Sequence, residues 1–196
     1  MRFGVDMDGC LANFNHSFGE LLIKQSGDKL PPDWKDNTIH PKVWDWDKEA
    51  GYTQNERNKA WDYIKTNDFW FNLGLMPGAE DAIDLLNELG ETHYVYFITH
   101  RTGKEAKQQT EDWLFGHGMT NPTVLVSGDN KNPLIEGLEL DFFVDDKWDA
   151  LIRATTLQSV KPALYIKDAP YNRTDIPGVK RVETVFEALN HFMEGK

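Results

Sequence analysis

The chain predicts an α/β fold, a Rossmann-like parallel sheet flanked by helices, with a small, mostly helical cap inserted after the first strand. Three features predict it. Short apolar runs alternate with segments of helical periodicity along most of the chain, several of those runs stop at polar residues, and one tryptophan-rich stretch breaks the alternation.

Arg2 to Val5 is a short apolar run that stops at Asp6, so it reads as a buried strand delivering Asp6 and Asp8 to a loop. Leu11, Phe14, Phe18, Leu21 and Leu22 recur at helical spacing, which predicts a helix over about Leu11 to Gln25. From Ser26 to about Asn72 the composition shifts to five tryptophans (Trp34, Trp44, Trp46, Trp61, Trp70), the pair Pro31-Pro32 and few aliphatics. Within it, Asn55 to Lys65 reads as helical. The cap is expected over residues 16–72 and the core over 1–15 and 73–196. Alternation resumes with an amphipathic helix over Ala79 to Leu89, closed by Gly90. His93 to Thr99 is strongly β-forming. Lys104 to Gly116 predicts a helix, Thr123 to Val126 a short strand and Asn132 to Leu138 a brief helix. Leu140 to Val144 predicts a strand ending at Asp145-Asp146. Ala163 to Ile166 and Lys180 to Val182 read as later strands and Thr184 to Met193 as the last helix. Such alternation predicts parallel strands covered on both faces.

At 196 residues, 40% hydrophobic and 12% aromatic, the chain is long and apolar enough for one domain with a smaller insertion. No apolar run approaches the roughly 18 residues a membrane-spanning helix needs. The N-terminus MRFGVDMDG lacks the apolar stretch of a signal peptide, and a soluble cytoplasmic protein is expected. The single Cys10 excludes an internal disulfide and a multi-cysteine zinc site. The net charge, 21 − 32 = −11, argues against nucleic-acid polymers, which are usually met by basic surfaces. It leaves a small phosphorylated substrate open, because a divalent cation and a few basic residues can reverse the field inside a pocket. A monomer and a homodimer fit equally well.

Asp6 and Asp8, Thr99, and Asp145 with Asp146 all lie at the ends of expected strands. Ligands of open α/β sheets bind beyond those ends, so these groups should converge. Up to four carboxylates together repel one another unless a cation sits among them, and oxygen ligands suit Mg²⁺. Gly9 permits a tight turn after Asp8.

Asp6-Met7-Asp8-Gly9 resembles the first motif of the haloacid dehalogenase superfamily, and Thr99, Lys131 and Asp145-Asp146 fall where its later motifs belong. DMDGCLANF (Asp6 to Phe14), FWFNLGLMPGAEDAI (Phe69 to Ile83) and FFVDDK (Phe142 to Lys147) are similar to the 5′(3′)-deoxyribonucleotidases and their bacterial and phage relatives. Ala169-Pro170-Tyr171-Asn172 is similar to a segment of the bacterial branch. The resemblance covers most of the chain and is weakest over roughly Gly27 to Gly51.

The resemblance implies a Mg²⁺-dependent phosphomonoesterase acting through an aspartyl-phosphate, with a (deoxy)nucleoside 5′-monophosphate as substrate. Asp6 is the implied nucleophile and Asp8 the acid and base. Thr99, the His100 backbone N–H and Lys131 would hold the phosphate. Mg²⁺ would take Asp6, the Asp8 carbonyl and a motif-four acid, Asp146 in preference to Asp145. Phe14 and Trp44 would line the base pocket. The residues after Thr99 depart from the eukaryotic pattern: His100 stands where a small residue is usual, and Arg101 follows. Either could touch phosphate, though Arg101 could instead cap the start of a helix or pair with an acid of the cap. Among Lys104, Lys107, Lys131 and Lys147, the place of Lys131 ahead of the Asp145-Asp146 strand favours it. Most of the five tryptophans are expected to pack, with one or two reaching ligand. Cys10 and His16 read as structural. The same mechanism on another small phosphometabolite or on a 3′-phosphorylated nucleic-acid end is one alternative; a non-catalytic binding protein on this fold is the other.

Overall fold

The computed structural model describes residues 1–36 and 40–195; residues 37–39 of the expected cap and residue 196 of the expected core lie outside the described residues. The strands are Arg2–Val5 (β1), Tyr94–Thr99 (β2), Val124–Val126 (β3), Phe142–Asp145 (β4), Ala163–Lys167 (β5) and Val179–Val182 (β6). The helices are Phe14–Ser26 (α1), Trp46–Glu49 (α2), Gln54–Thr66 (α3), Ala79–Leu89 (α4), Ala106–Gly116 (α5), Asn132–Gly137 (α6), Trp148–Thr155 (α7) and Val185–Glu194 (α8). Short 3₁₀ turns occupy Pro32–Lys35, Trp70–Asn72 and Pro170–Asn172.

The six strands form one sheet in the order β3-β2-β1-β4-β5-β6, with every neighbouring pair parallel. The chain builds outward from β1 to β3, then returns to the other side of β1 and builds outward again from β4. The order therefore reverses between β1 and β4, where diverging connections leave a crevice at the carboxyl ends of the strands. One face packs Phe3, Val5, Phe97 and Phe142 against Ile83 and Leu86 of α4 and Leu189 of α8. The other packs Ile98, Phe143 and Leu164 against Ile135 of α6 and Leu151 of α7. With both faces covered, the strands are nearly continuous apolar runs, the feature from which they were readable.

Three elements differ from expectation, one of them the single-turn helix α2 inside the tryptophan-rich stretch, which has no periodic pattern to announce it. Helix α1 begins at Phe14 rather than near Leu11, because residues 7–12 are spent on a turn. The Leu11 and Ala12 N–H groups both donate to the Met7 carbonyl, at 2.9 and 2.8 Å, and Asn13 then caps the helix by accepting from the His16 N–H at 3.3 Å. Helix α7, which follows Asp145-Asp146 directly, was not expected; its buried side is only Ala150, Leu151 and Ala154, too short a pattern to stand out.

Helices α1, α2 and α3 surround the tryptophan-rich stretch. Thr53 and Glu56 form a reciprocal capping box that starts α3. Phe14 and Phe18 of α1 lie 5.7 and 5.3 Å from the Trp61 ring of α3. A Cβ at Gly19 would stand 2.3 Å from Trp34 Nε1, so the glycine lets that indole lie against α1. Trp34 and Trp46 continue the core of the β1 face. The two connections to this region run side by side: the Asn13 N–H donates to the Gly74 carbonyl and the Met76 N–H to the Leu11 carbonyl, both at 2.8 Å. Among the described residues, no helix is long and apolar enough to cross a membrane.

Candidate active site

β1 stops where its last N–H contact to β4 is made, the Asp6 N–H donating to the Val144 carbonyl at 3.0 Å. The Asp6 carboxylate is thereby fixed at the carboxyl edge of the sheet, buried. Lys131, at the start of α6, donates from Nζ to Asp6 Oδ1 at 2.6 Å and to Asp145 Oδ2 at 2.7 Å. The other Asp145 oxygen accepts the Lys147 N–H at 2.8 Å. Asp146 is buried beside them; its Oδ2 accepts from the Tyr171 hydroxyl and its backbone carbonyl accepts from Asn172 Nδ2 at 2.7 Å. Gly9 (φ +80°) closes the arrangement: a Cβ there would fall 2.2 Å from Asp146 Oδ2. Of the four competing lysines, Lys131 is the one turned into this cluster. Lys104 is exposed, Lys107 pairs with Glu111, and Lys147 Nζ lies 5.6 Å above the Trp44 ring.

Asp8 occupies the opposite wall. Arg101 grips it from Nε at 3.2 and 3.1 Å and from a terminal nitrogen at 2.7 Å. The other terminal nitrogen of Arg101 donates to Thr110 at 2.9 Å, and the guanidinium lies 5.0 Å from the Trp70 ring. Arg101 is thus enclosed behind Asp8 and does not line the cavity; the acid it pairs with belongs to the first motif and not to the cap, so it takes neither the phosphate contact nor the cap pairing expected of it. Thr99 is fully buried and turns its hydroxyl toward Asp8 Oδ2 at 3.4 Å, also off the cavity wall. His100 does face the cavity, with Nδ1 3.0 Å from the Ser127 carbonyl and Nε2 3.5 Å from Asp129.

The electrostatics follow from four carboxylates meeting two fixed cations. Burial, then the charges of Asp145, Asp146 and Asp8 against the opposing Lys131, raises the Asp6 carboxyl well above its usual range. Burial, then Asp145, raises Asp146 to about 7, with the Tyr171 hydrogen bond opposing. Burial pushes the Lys131 ammonium down, but Asp145 and Asp6 outweigh it and raise it above its ordinary value. Were all four of Asp6, Asp8, Asp145 and Asp146 ionised, Lys131 and Arg101 would leave two negative charges uncompensated; protons meet that deficit in part by raising Asp6 and Asp146, and a divalent cation could meet it instead. Ligand atoms of Asp6, Cys10 and Asp146 lie within 4.8 Å of one another. The two carboxylates are the hard donors Mg²⁺ takes, whereas burial, then Asp6 and Asp146, raises the Cys10 thiol well above its ordinary value, so it adds no charge.

A cavity of about 630 Å³ opens above the cluster. Asp6, Asp8, Lys131, Asp145 and Asp146 line its floor, and Phe14, Trp44, Trp61 and Trp70 its aromatic wall. Phe14 lies 5.7 Å from Trp61 and 5.8 Å from Trp70, each nearly parallel. Trp46 also lines the space, so four of the five tryptophans do. Tyr171, between Pro170 and Asn172, carries no spacing signal toward Asp146 in the sequence, and only its segment stands out there.

The fold is shared with a solved HAD hydrolase. It superposes with a TM-score of 0.53 on the crystal structure of a HAD hydrolase, family IA, variant 3, from Entamoeba histolytica, at 12% identity over 99% of this chain and 98% of that one. Two bacterial proteins, each carrying the name "Putative nucleotidase", match over 188 residues, 88% of this chain and 89% of theirs. The Oceanobacillus iheyensis protein is 32% identical and the Bacillus cereus protein 26%. Residues 1–194 match the family described as 5′ nucleotidase, deoxy (Pyrimidine), cytosolic type C protein, and the chain belongs to that family of nucleotidases.

Proposed function

We propose that this nucleotidase hydrolyses a (deoxy)nucleoside 5′-monophosphate in two steps through a phosphorylated Asp6. The observation that carries the reading is Asp6 itself, buried at the end of β1 on the floor of an aromatic-walled cavity with one oxygen held by Lys131. Asp6 attacks phosphorus, forming the acyl-phosphate O–P bond as the bond to the sugar oxygen breaks, and Asp8 gives that oxygen its proton. To donate, Asp8 turns one oxygen away from Arg101. Asp8 then takes a proton from the water that attacks the phosphoaspartate, releasing phosphate and restoring Asp6. Lys131 offsets charge on the transferring group and His100, which faces the cavity, completes its cradle, while the Thr99 hydroxyl stays turned to Asp8. Asp6, the Asp8 carbonyl and Asp146 would hold Mg²⁺, with Asp145 committed to Lys131 and the Lys147 N–H. Mg²⁺ supplies the positive charge that favours ionised Asp6 and draws in the phosphate.

Phe14, Trp44, Trp61 and Trp70 offer faces for stacking a base, and residues 16–72 act as the cap that covers it and excludes water. A cytoplasmic setting suits a protein with one unpaired thiol. The test is phosphate release from a side-by-side panel of nucleotides and sugar phosphates with Mg²⁺. Nucleotides should lead, EDTA should stop release, and Asp6→Asn should abolish it with the fold retained. Undiminished turnover by Asp6→Asn would refute the mechanism; a lead for sugar phosphates would refute the substrate.

A further inference from the structure

We propose that Tyr171 is a positioning residue that serves two parts of the site at once, aiming the Asp146 carboxylate at the cation position and seating the cap through Trp44. The proposal deepens the nucleotidase reading and rests on it for its substrate-side half.

Two independent contacts meet on this side chain. Its hydroxyl donates to Asp146 Oδ2, and the same hydroxyl lies 3.0 Å from where a Cβ at Gly9 would be, so it is wedged between the two motifs. The other Asp146 side-chain oxygen carries no hydrogen bond among the described residues and is left for a cation. The ring of Tyr171 meets Trp44, from the tryptophan-rich insertion, at 5.4 Å and 75°, an edge-to-face contact. Trp44 also carries Lys147, one residue past Asp146, with Nζ 5.6 Å from its ring centroid.

The platform under Tyr171 is stiff. Asn172 Nδ2 donates to the carbonyls of Asp146 at 2.7 Å and Lys167 at 2.8 Å, while Asn172 Oδ1 accepts from the Ala169 N–H at 3.0 Å. Arg181 of β6 donates to Asn172 Oδ1 at 3.0 Å and to its backbone carbonyl at 2.9 Å, and pairs with Asp168 at 2.8 Å. A hydroxyl held this way fixes the orientation of a metal-binding carboxylate, the usual task of a ligand's outer hydrogen-bond partner. The ring of the same residue cannot move without moving the contact to Trp44.

The two halves separate by mutation. Tyr171→Phe keeps the ring and deletes the hydroxyl. It should weaken Mg²⁺ binding about 10-fold, read by calorimetry on nucleotide-free protein, while KM at saturating Mg²⁺ stays unchanged. Trp44→Leu changes a half-exposed residue and should retain the fold. It should raise KM several-fold with Mg²⁺ affinity unchanged. Tyr171→Leu should show both effects. Mg²⁺ affinity within twofold of wild type in Tyr171→Phe would overturn the first half. Unchanged KM in Trp44→Leu and Tyr171→Leu would overturn the second. Because calorimetry needs no substrate, a protein inert toward nucleotides would sink the functional reading and still leave the role of Tyr171 in metal binding decided.

Discussion

Replacing Asp146 with asparagine should stabilise the metal-free protein at alkaline pH, although it removes a group the site needs. Burial, then the neighbouring Asp145, raises the Asp146 carboxyl from 3.8 to about 7. A raised folded-state pKa means the folded protein holds this proton more tightly than the unfolded chain does. The resulting stability is fully present below the unfolded value and is lost as pH rises through about 7. Between pH 6 and pH 8 one such group costs on the order of 1 kcal/mol. Asp6 is raised in the same direction, partly by the Asp146 charge, so the variant loses the Asp146 contribution and part of that of Asp6, and both changes flatten its slope. The assay is urea unfolding in EDTA at pH 6, 7 and 8, followed by tryptophan fluorescence. Wild type should lose stability across that range, and Asp146→Asn should lose less and be the more stable of the two at pH 8. Saturating Mg²⁺ should restore wild type at pH 8 by mass action and leave the variant unmoved. Equal pH slopes for the two proteins in EDTA would refute the account of a buried, undercompensated carboxylate.

Lys131→Met should abolish turnover and, because it strips the shared cation from Asp6 and Asp145 at 2.6 and 2.7 Å, destabilise the fold by about 3–5 kcal/mol near neutral pH. That loss should shrink in acid, as the orphaned carboxylates protonate; a pH-independent loss in urea unfolding would contradict it. Gly9→Ala should cost about 1–2 kcal/mol for its left-handed backbone and weaken Mg²⁺ binding, because its Cβ would meet Asp146 Oδ2 at 2.2 Å; calorimetry reads the second effect. Phe14→Leu should raise KM for nucleotides several-fold with little change in kcat, since the stack with Trp61 and Trp70 lies away from Asp6; an equal fall in kcat would place Phe14 nearer the chemistry.

The strands were readable because burial on both faces makes each an apolar run, and β1 occupies Arg2–Val5 as the pattern implied. Helix α4 likewise matches its amphipathic period. Turns were harder: the N–H groups of Leu11 and Ala12 fold back on Met7, and no periodicity separates that turn from the helix after it. Asp6, Asp145 and Asp146 share one cluster because each stands at or just past a strand end, and strand ends leave a trace in hydropathy; Lys131, at the start of α6, left none and was marked by the family resemblance. Tyr171 and the placement of Arg101 left none. Their partners, Asp146 and Asp8, are 25 and 93 residues away.

By itself the sequence determined the sheet-and-helix alternation, the interrupting aromatic stretch and the acids poised at strand ends, because local patterning of apolar and polar residues encodes them. Tertiary structure alone decided which cation each acid meets. Arg101 could have faced substrate or an acid, and packing of β2 beside β1, with α5 bringing Thr110, turned it onto Asp8. Tyr171 reaches Asp146 only because β5 lies against β4 and Arg181 pins the turn between them and β6. Such pairings depend on distances across the folded chain, which spacing along it does not contain.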